Sequence, residues 1–306
     1  MGEFDVSEVD WEQRLATVAW VHEALAADQR CLRLEEASLR FATATIPRRA
    51  FIPLEARRAA QRCAAAYMLP LPGRVMTLGG VRCTPNDRPA AVELLRHCIQ
   101  RANDVGTMQT QAIVEVDDLN TANILECTYF VRLTSVAHLC LALDGATDAH
   151  RPAGLGTSAV EFAAAGEYEA DLAQLIVETF DQTLDCPKLN GIRTAADVLT
   201  GFMDGKTLAD LPNWYVILIH QQLAGCLLMM EHPRGIMELA YLGIVPSHRG
   251  RNLGSILMSK AIEISRAANA QYLVAAADKD NWPVLSIYQR FGFGEVKSLD
   301  VWLFES

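Results

Sequence analysis

"VPSHRGRNLGSIL", residues 245–257, decides how this 306-residue chain is read. It stands between the apolar run "IMELAYLGIV" (236–245) and the helix-like "GSILMSKAIEISRAAN" (254–269), and it gathers Arg249, Gly250, Arg251 and Gly254 into one short turn. A strand that passes through such a turn into a helix aims several unpaired backbone N–H groups and the positive end of a helix dipole at one point. Glycines let the backbone approach an anion closely, and arginine adds charge-assisted hydrogen bonds. The stretch reads as a nest for phosphate oxygens.

The rest of the chain asks for such a local device. Its formal charge is −10, which excludes a nucleic-acid protein, because phosphate backbones need a dense basic surface. Any anionic ligand must be held by a few amides and side chains. With 51% hydrophobic residues the chain can bury a sizeable core, and its length fits two domains. No apolar run approaches the roughly 18 residues of a membrane span. The acidic start "MGEFDVSEVD" resembles neither a secretory signal nor a transit peptide, and Val6 stands where a myristoylation signal wants Ser or Thr. Eight cysteines without a CxxC pair read as reduced thiols in a cytoplasmic protein. Seven histidines without HExxH give no metal site.

Periodicity places helices over 11–28, 89–104, 120–133, 168–180, 193–205 and 254–269, with Thr194 as a cap and Gly205 as a stop. Strands fall around the turn Pro70–Gly73, at 112–116, at "WYVILIH" and "LAGCLLMME" on either side of a hairpin, and at "IMELAYLGIV", "YLVAAAD" and "KSLDVWLFE". "NWPVLSIYQRFGF" holds a short helix. The alternation gives an α+β fold with an α/β-type mixed sheet. "DGATDAHRPAGLGTS" (144–158) is the linker candidate, so the domains are expected at 1–150 and 151–306.

The halves are expected to be copies. An offset of 161 residues brings Met68 onto Met229, Met76 onto Met237, Leu78 onto Leu239, Asp117 onto Asp278, Asn120 onto Asn281 and Phe130 onto Phe291. These identities cluster at strand ends and turns, and the register is free to slip within the long helix.

Here the chain resembles the GNAT superfamily of acetyl-CoA-dependent N-acetyltransferases. The family signature R/Q-x-x-G-x-G/A is matched by Arg249, Gly250, Arg251, Asn252, Leu253 and Gly254, with Asn252 where glycine is usual. Asn tolerates a left-handed backbone, so the turn survives the change. "ELAYLGIVPSHRG" is similar to the family's fourth strand and "NWPVLSIYQRFGF" to its N-x6-Y…GF segment. The likeness extends over about 171–306, and two tandem domains occur within the family.

The resemblance implies roles. The backbone of Leu242, Gly243 and Ile244 would pair with the pantetheine arm of acetyl-CoA, and Arg249 to Ser255 would wrap its pyrophosphate. Asn281 would hydrogen-bond the cofactor near the thioester. Tyr288 would protonate the departing thiolate, its plain alternative being a packing aromatic. Glu238, a lone carboxylate in an apolar strand, would be the base, the plain alternative being an edge glutamate in water. At the 161 offset Glu238, Tyr288, Gly250 and Gly254 become Thr77, Cys127, Pro89 and Glu93, so the first copy reads as degenerate, with little or no cofactor binding. The acceptor wall would be "DQTLDCPKLNGIRTAADVLTGF", with Asp181 and Asp185 drawing a cationic amine and Asn190 and Arg193 meeting polar groups, unless they are turn formers. Cys186 has no activating neighbour in the sequence. The expected activity is transfer of acetyl to a primary amine of a small molecule by direct attack. A CoA-sensing module without turnover, a longer acyl chain and a protein acceptor stay as alternatives.

Overall fold

The computed structural model describes residues 4–23, 52–143 and 160–304. The expected linker, 144–158, lies outside the described residues, as do residues 24–28 of the first expected helix. The chain divides into two compact units, residues 1–133 with 300–306 and residues 134–299.

In the first unit, strands β1 (Asp5–Glu8), β2 (Ile52–Arg58), β3 (Gln61–Leu71), β4 (Val75–Cys83) and β5 (Gln109–Glu115) follow in order, and the end of β12 (Gly294–Phe304) lies beside β5. Pairing is antiparallel up to β4, and β4 runs parallel to β5. One face is covered by α1 (Arg14–Val21), whose Val18 and Val21 meet Ala65, Tyr67 and Leu69. The other is covered by α2 (Arg88–Asp104), whose Leu94, Leu95 and Cys98 share a core with Met68, Met76 and Leu78. Then comes α3 (Leu119–Glu126), capped by Asp118, which accepts the Thr121 N–H at 3.0 Å.

The helix expected to reach residue 133 stops at Glu126. Tyr129 turns at φ +64° and Phe130–Ala142 forms β6. The stretch "FVRLTSVAHLCLA" alternates, burying Ala137, Leu139 and Leu141, and that two-residue period outweighs the helical one.

The second unit orders its strands β6, β11 (Tyr272–Asp278), β10 (Ile236–Ile244), β9 (Gln222–His232), β8 (Trp214–Ile219) and β7 (Val160–Ala164). Helices α4 (Glu169–Glu178) and α5 (Ala195–Met203) pack on one face around Trp214, and α6 (Leu253–Ala267) and α7 (Trp282–Arg290) on the other around Met237. His220 and Gln221, at φ +49° and +64°, make the tight β8–β9 turn. Thr194 caps α5, accepting the Asp197 N–H at 3.1 Å, and Gly205 follows the helix end at φ +79°.

The division differs from the expected 150/151 boundary in two places. Strand β6 pairs with β11 from Ala142 opposite Tyr272 to Val136 opposite Asp278, so residues 134–142 pack with the second unit. Residues 300–306 return to the first. Each unit thus contains a strand from the other half of the sequence.

The halves repeat. β3 and β4 map onto β9 and β10 at the 161-residue offset, and both fourth strands carry a bulge at the same place, Gly79 and Ala240. Past the helix the offset becomes 163, carrying Glu115 onto Asp278, Asp118 onto Asn281 and Leu125 onto Tyr288. The sequence pairings of Asp117, Asn120 and Cys127 with these residues are therefore two positions out of register. No helix among the described residues is long and apolar enough to cross a membrane.

Candidate active site

Strands β10 and β11 pair only from Ile236–Leu239 to Tyr272–Ala275. At Ala240 the register against β9 shifts, and the bulge bends β10 away from its neighbour. A cleft of about 280 Å³ opens there, lined by Leu239–Ile244 of β10, Ala276 and Ala277 of β11, Asn281 and Tyr288 of α7, Gly254 of α6 and part of Thr179–Asp185. Beyond Leu239 the β11-facing edge of β10 lacks a strand partner, so an extended arm bearing amides can add to it as a strand. Leu242, Gly243 and Ile244 all lie on this edge. Gly243 is required for close packing, since a Cβ there would overlap the Thr179 side chain.

The turn after β10 ends at the cleft. Gly250 and Asn252 adopt φ +74° and +61°, and Asn252 precedes α6 in a left-handed conformation that Asn tolerates. Among the described residues the N–H groups of Gly250, Arg251 and Asn252 have no protein acceptor. They stand next to the first turn of α6, whose own amides at Leu253 and Gly254 have no partner within the helix. Amides grouped in this way beside a helix N-terminus can receive an anion such as a diphosphate. Two expected ligands are turned away from it. Arg249 donates Nε to the Ile244 carbonyl at 3.0 Å, Nη1 to Gln182 O at 3.0 Å and Nη2 to Thr179 O at 2.9 Å, so its guanidinium is spent on bracing the cleft wall. Ser255 is 3% exposed, and its hydroxyl donates to Asn252 Oδ1 at 2.7 Å. Leu253 is buried as a core residue. Backbone amides and the exposed Arg251 are left to meet an anion.

Tyr288 lines the cleft, 4% exposed, with its ring edge-on to Phe293 at 4.9 Å. Burial, and after it the charge of Asp185, pushes its phenol well above the ordinary tyrosine range. Asn281 caps α7; its N–H donates to Asp278 O at 3.0 Å and its side chain hydrogen-bonds Asp185. Asp185 Oδ1 also accepts the Asp278 N–H at 2.9 Å. Burial pushes the Asp185 carboxyl up, the Asp278 amide pulls it back, the Asp278 charge pushes it up again, and the net shift is upward. Asp278 is 1% exposed and accepts from Thr134 Oγ1 at 2.7 Å, Asp280 N at 2.9 Å and Cys186 N at 3.0 Å. The thiol of Cys186 is held protonated by burial and by both carboxylates, in keeping with its having no nucleophilic role.

Glu238 is not part of the cleft lining. Its neighbours Met237 and Leu239 point into the core under α6 and α7, so strand alternation sends Glu238 to the opposite face, where Oε2 lies 2.5 Å from His232 Nε2. Of the four expected acceptor residues only Asp185 lines the cleft. Asn190 donates to the Phe180 carbonyl at 3.0 Å and holds its turn, Arg193 lies beside Asp197, and Asp181 is exposed. Sequence reading overlooked Thr179 and Tyr241. The Thr179 hydroxyl donates to Ile176 O at 2.6 Å, leaving the Tyr241 hydroxyl to donate to it at 2.5 Å, which fixes the wall of the cleft.

Residues 183–293 match the model of the Acetyltransferase (GNAT) family. A 78-residue stretch is 26% identical to the mycothiol acetyltransferase of Corynebacterium glutamicum (strain R), covering 26% of this chain and 27% of that protein. The chain therefore matches about a quarter of the length of this curated relative. Among solved structures, a GCN5-related N-acetyltransferase from Sphaerobacter thermophilus aligns with a TM-score of 0.67 at 13% identity, over 99% of this chain and 96% of that one. A tandem GNAT protein from the clavulanic acid biosynthesis pathway aligns with a TM-score of 0.57 at 15% identity, over 98% of both chains. At these identities the structures speak for the fold, which is that of tandem GNAT proteins, and the match to the GNAT acetyltransferase family is carried by residues 183–293.

Proposed function

We propose that the second unit is an acetyl-CoA-dependent N-acetyltransferase that moves an acetyl group to the primary amine of a small molecule by direct attack in a ternary complex. The observation that carries this reading is one cleft bounded at once by Gly254 at the start of α6, by the unpartnered edge of β10 and by Tyr288. The loop amides suit a diphosphate, the β10 edge suits an amide-bearing arm, and the buried phenol suits the far end, where a thiolate leaves. Burial keeps Tyr288 protonated at neutral pH, as a proton donor must be.

The first unit is proposed as a degenerate copy that binds acetyl-CoA weakly or not at all. Its connection from β4 to the helix runs only from Thr84 to Asp87, against Val245 to Asn252 in the second unit, and Pro89 lies in the first helical turn, removing a donor. The Tyr67 ring lies over Gly79, at its bulge, so closely that a Cβ there would overlap it, and Tyr67 OH meets His22 Nε2 at 2.8 Å. All seven described cysteines are free thiols, which suits work in a reducing compartment such as the cytoplasm.

The test is calorimetric titration with acetyl-CoA, followed by a transfer assay, corrected for hydrolysis, against small primary amines and amino sugars. Binding with turnover on an amine supports the reading. Binding without turnover on any acceptor would make it a CoA-sensing module, turnover only with longer acyl chains or a protein acceptor would redefine the substrates, and no binding would end it.

A further inference from the structure

We propose that His138 receives the proton of the acceptor amine, at a subsite on the face of the second unit's sheet opposite Tyr288. The inference rests on the N-acetyltransferase reading and deepens it.

Register places the imidazole. His138 lies on β6 directly opposite Ala276 of β11, and cross-strand partners share a face. The alternate residues Ala137 and Leu139 are buried in the same cluster as Tyr288, so His138 and Ala276 belong to the other side of the sheet. Ala276 is exposed and lines the cleft; His138 does not itself line it and stands one strand away, across from that alanine. Glu238 pairs with Val274, which in turn pairs with Cys140, so Glu238 and His138 stand on this same face on either side of β11. A thioester held between β10 and β11 would therefore have Tyr288 on one side and these two groups on the other.

The two differ in availability. The Glu238 carboxylate is engaged with His232 at 2.5 Å. His138 is half-buried and makes no hydrogen bond or ion pair among the described residues. Burial first, then the charge of Lys297 on β12, holds it below the ordinary histidine range, while Glu238 pulls the other way. It is neutral at neutral pH, with a ring nitrogen lone pair to offer. Other titratable groups on this side are Cys140, two residues along β6, His232, which is held by Glu238, and Asp278 of β11, opposite Val136, whose carboxylate accepts three hydrogen bonds and whose N–H is bound by Asp185.

In the step, the neutral amine nitrogen bonds to the thioester carbon and the C–S bond breaks. The nitrogen's proton passes to His138, and Tyr288 gives its proton to the sulfur. His138 then releases its proton to solvent and Tyr288 regains one, so no proton is gained or lost.

The experiment is the pH profile of kcat/KM for the full chain on the best amine found. His138→Asn should lower turnover at pH 7 about 10²-fold, abolish the acid limb and leave acetyl-CoA affinity within twofold, with partial rescue by added imidazole. Lys297→Met should move the acid limb of the parent to higher pH, and Glu238→Gln should move it lower without removing it. These two variants test the proposal even if His138→Asn does not fold. An acid limb unchanged in Lys297→Met, or one abolished in Glu238→Gln, would overturn the role of His138. A protein that acetylates no amine would instead overturn the underlying reading.

Discussion

Arg249 Nη2 donates to the carbonyl of Thr179 at 2.9 Å, tying the turn after β10 to the residue that ends α4. With its bonds to Gln182 and Ile244, one guanidinium holds the roof of the cleft to its floor. An arginine that sequence reading assigned to phosphate is a structural clasp.

Arg249→Met should therefore cost stability more than chemistry. Three carbonyls lose a charged donor, a loss on the order of 2–3 kcal/mol because part of the cluster is open to water. The melting temperature should fall by roughly 5 °C and the KM for acetyl-CoA should rise, with kcat at saturation nearly kept. An unchanged melting temperature would leave the clasp without energetic weight.

Tyr288→Phe removes only the hydroxyl and keeps the ring contact with Phe293. Turnover should drop about 10²-fold while acetyl-CoA binds as before, measured by steady-state kinetics beside calorimetry. Unchanged turnover would remove Tyr288 from the mechanism.

Calorimetry should find one strong acetyl-CoA site per chain. Gly254→Glu should abolish it, since the new Cβ would stand 2.7 Å from Ile287 Cδ1 and the carboxylate would enter a nest of amides. Two equal sites would contradict a degenerate first unit.

The pair His232–Glu238 predicts a modest pH dependence of stability. The hydrogen bond to Glu238 raises His232 above its ordinary value, so the pair's stabilisation is present below pH about 6.5 and is lost as pH rises through the raised pKa. Side-chain exposures of 44% and 41% keep the effect small. Melting curves from pH 5.5 to 8.5 should show this component in the parent and not in His232→Gln.

Much of the site was legible because it rests on local backbone chemistry. Gly250, Asn252 and the start of α6 follow from a strand, a turn and a helix adjacent in sequence, whereas Tyr288 is reached through the resemblance of its segment to the family's N-x6-Y pattern. Contacts between distant segments were not legible. Nothing local reveals that Arg249 reaches Thr179, or that β6, read in part as a helix, brings His138 beside Ala276. Glu238 stands out in an apolar strand, but its face follows from alternation between Met237 and Leu239, and the sequence does not say which side of the strand the cleft and its helices take. The duplicated register failed past the long helix because the repeats there differ by two residues.

The strand exchange bears on how the protein can be dissected. A gene cut near residue 150 would give a leading fragment without Asp300–Phe304 and a trailing fragment without Thr134–Ala142, the segment bearing His138. Neither product would be an autonomous module, and only co-production of both pieces would be expected to restore an assembled, working molecule.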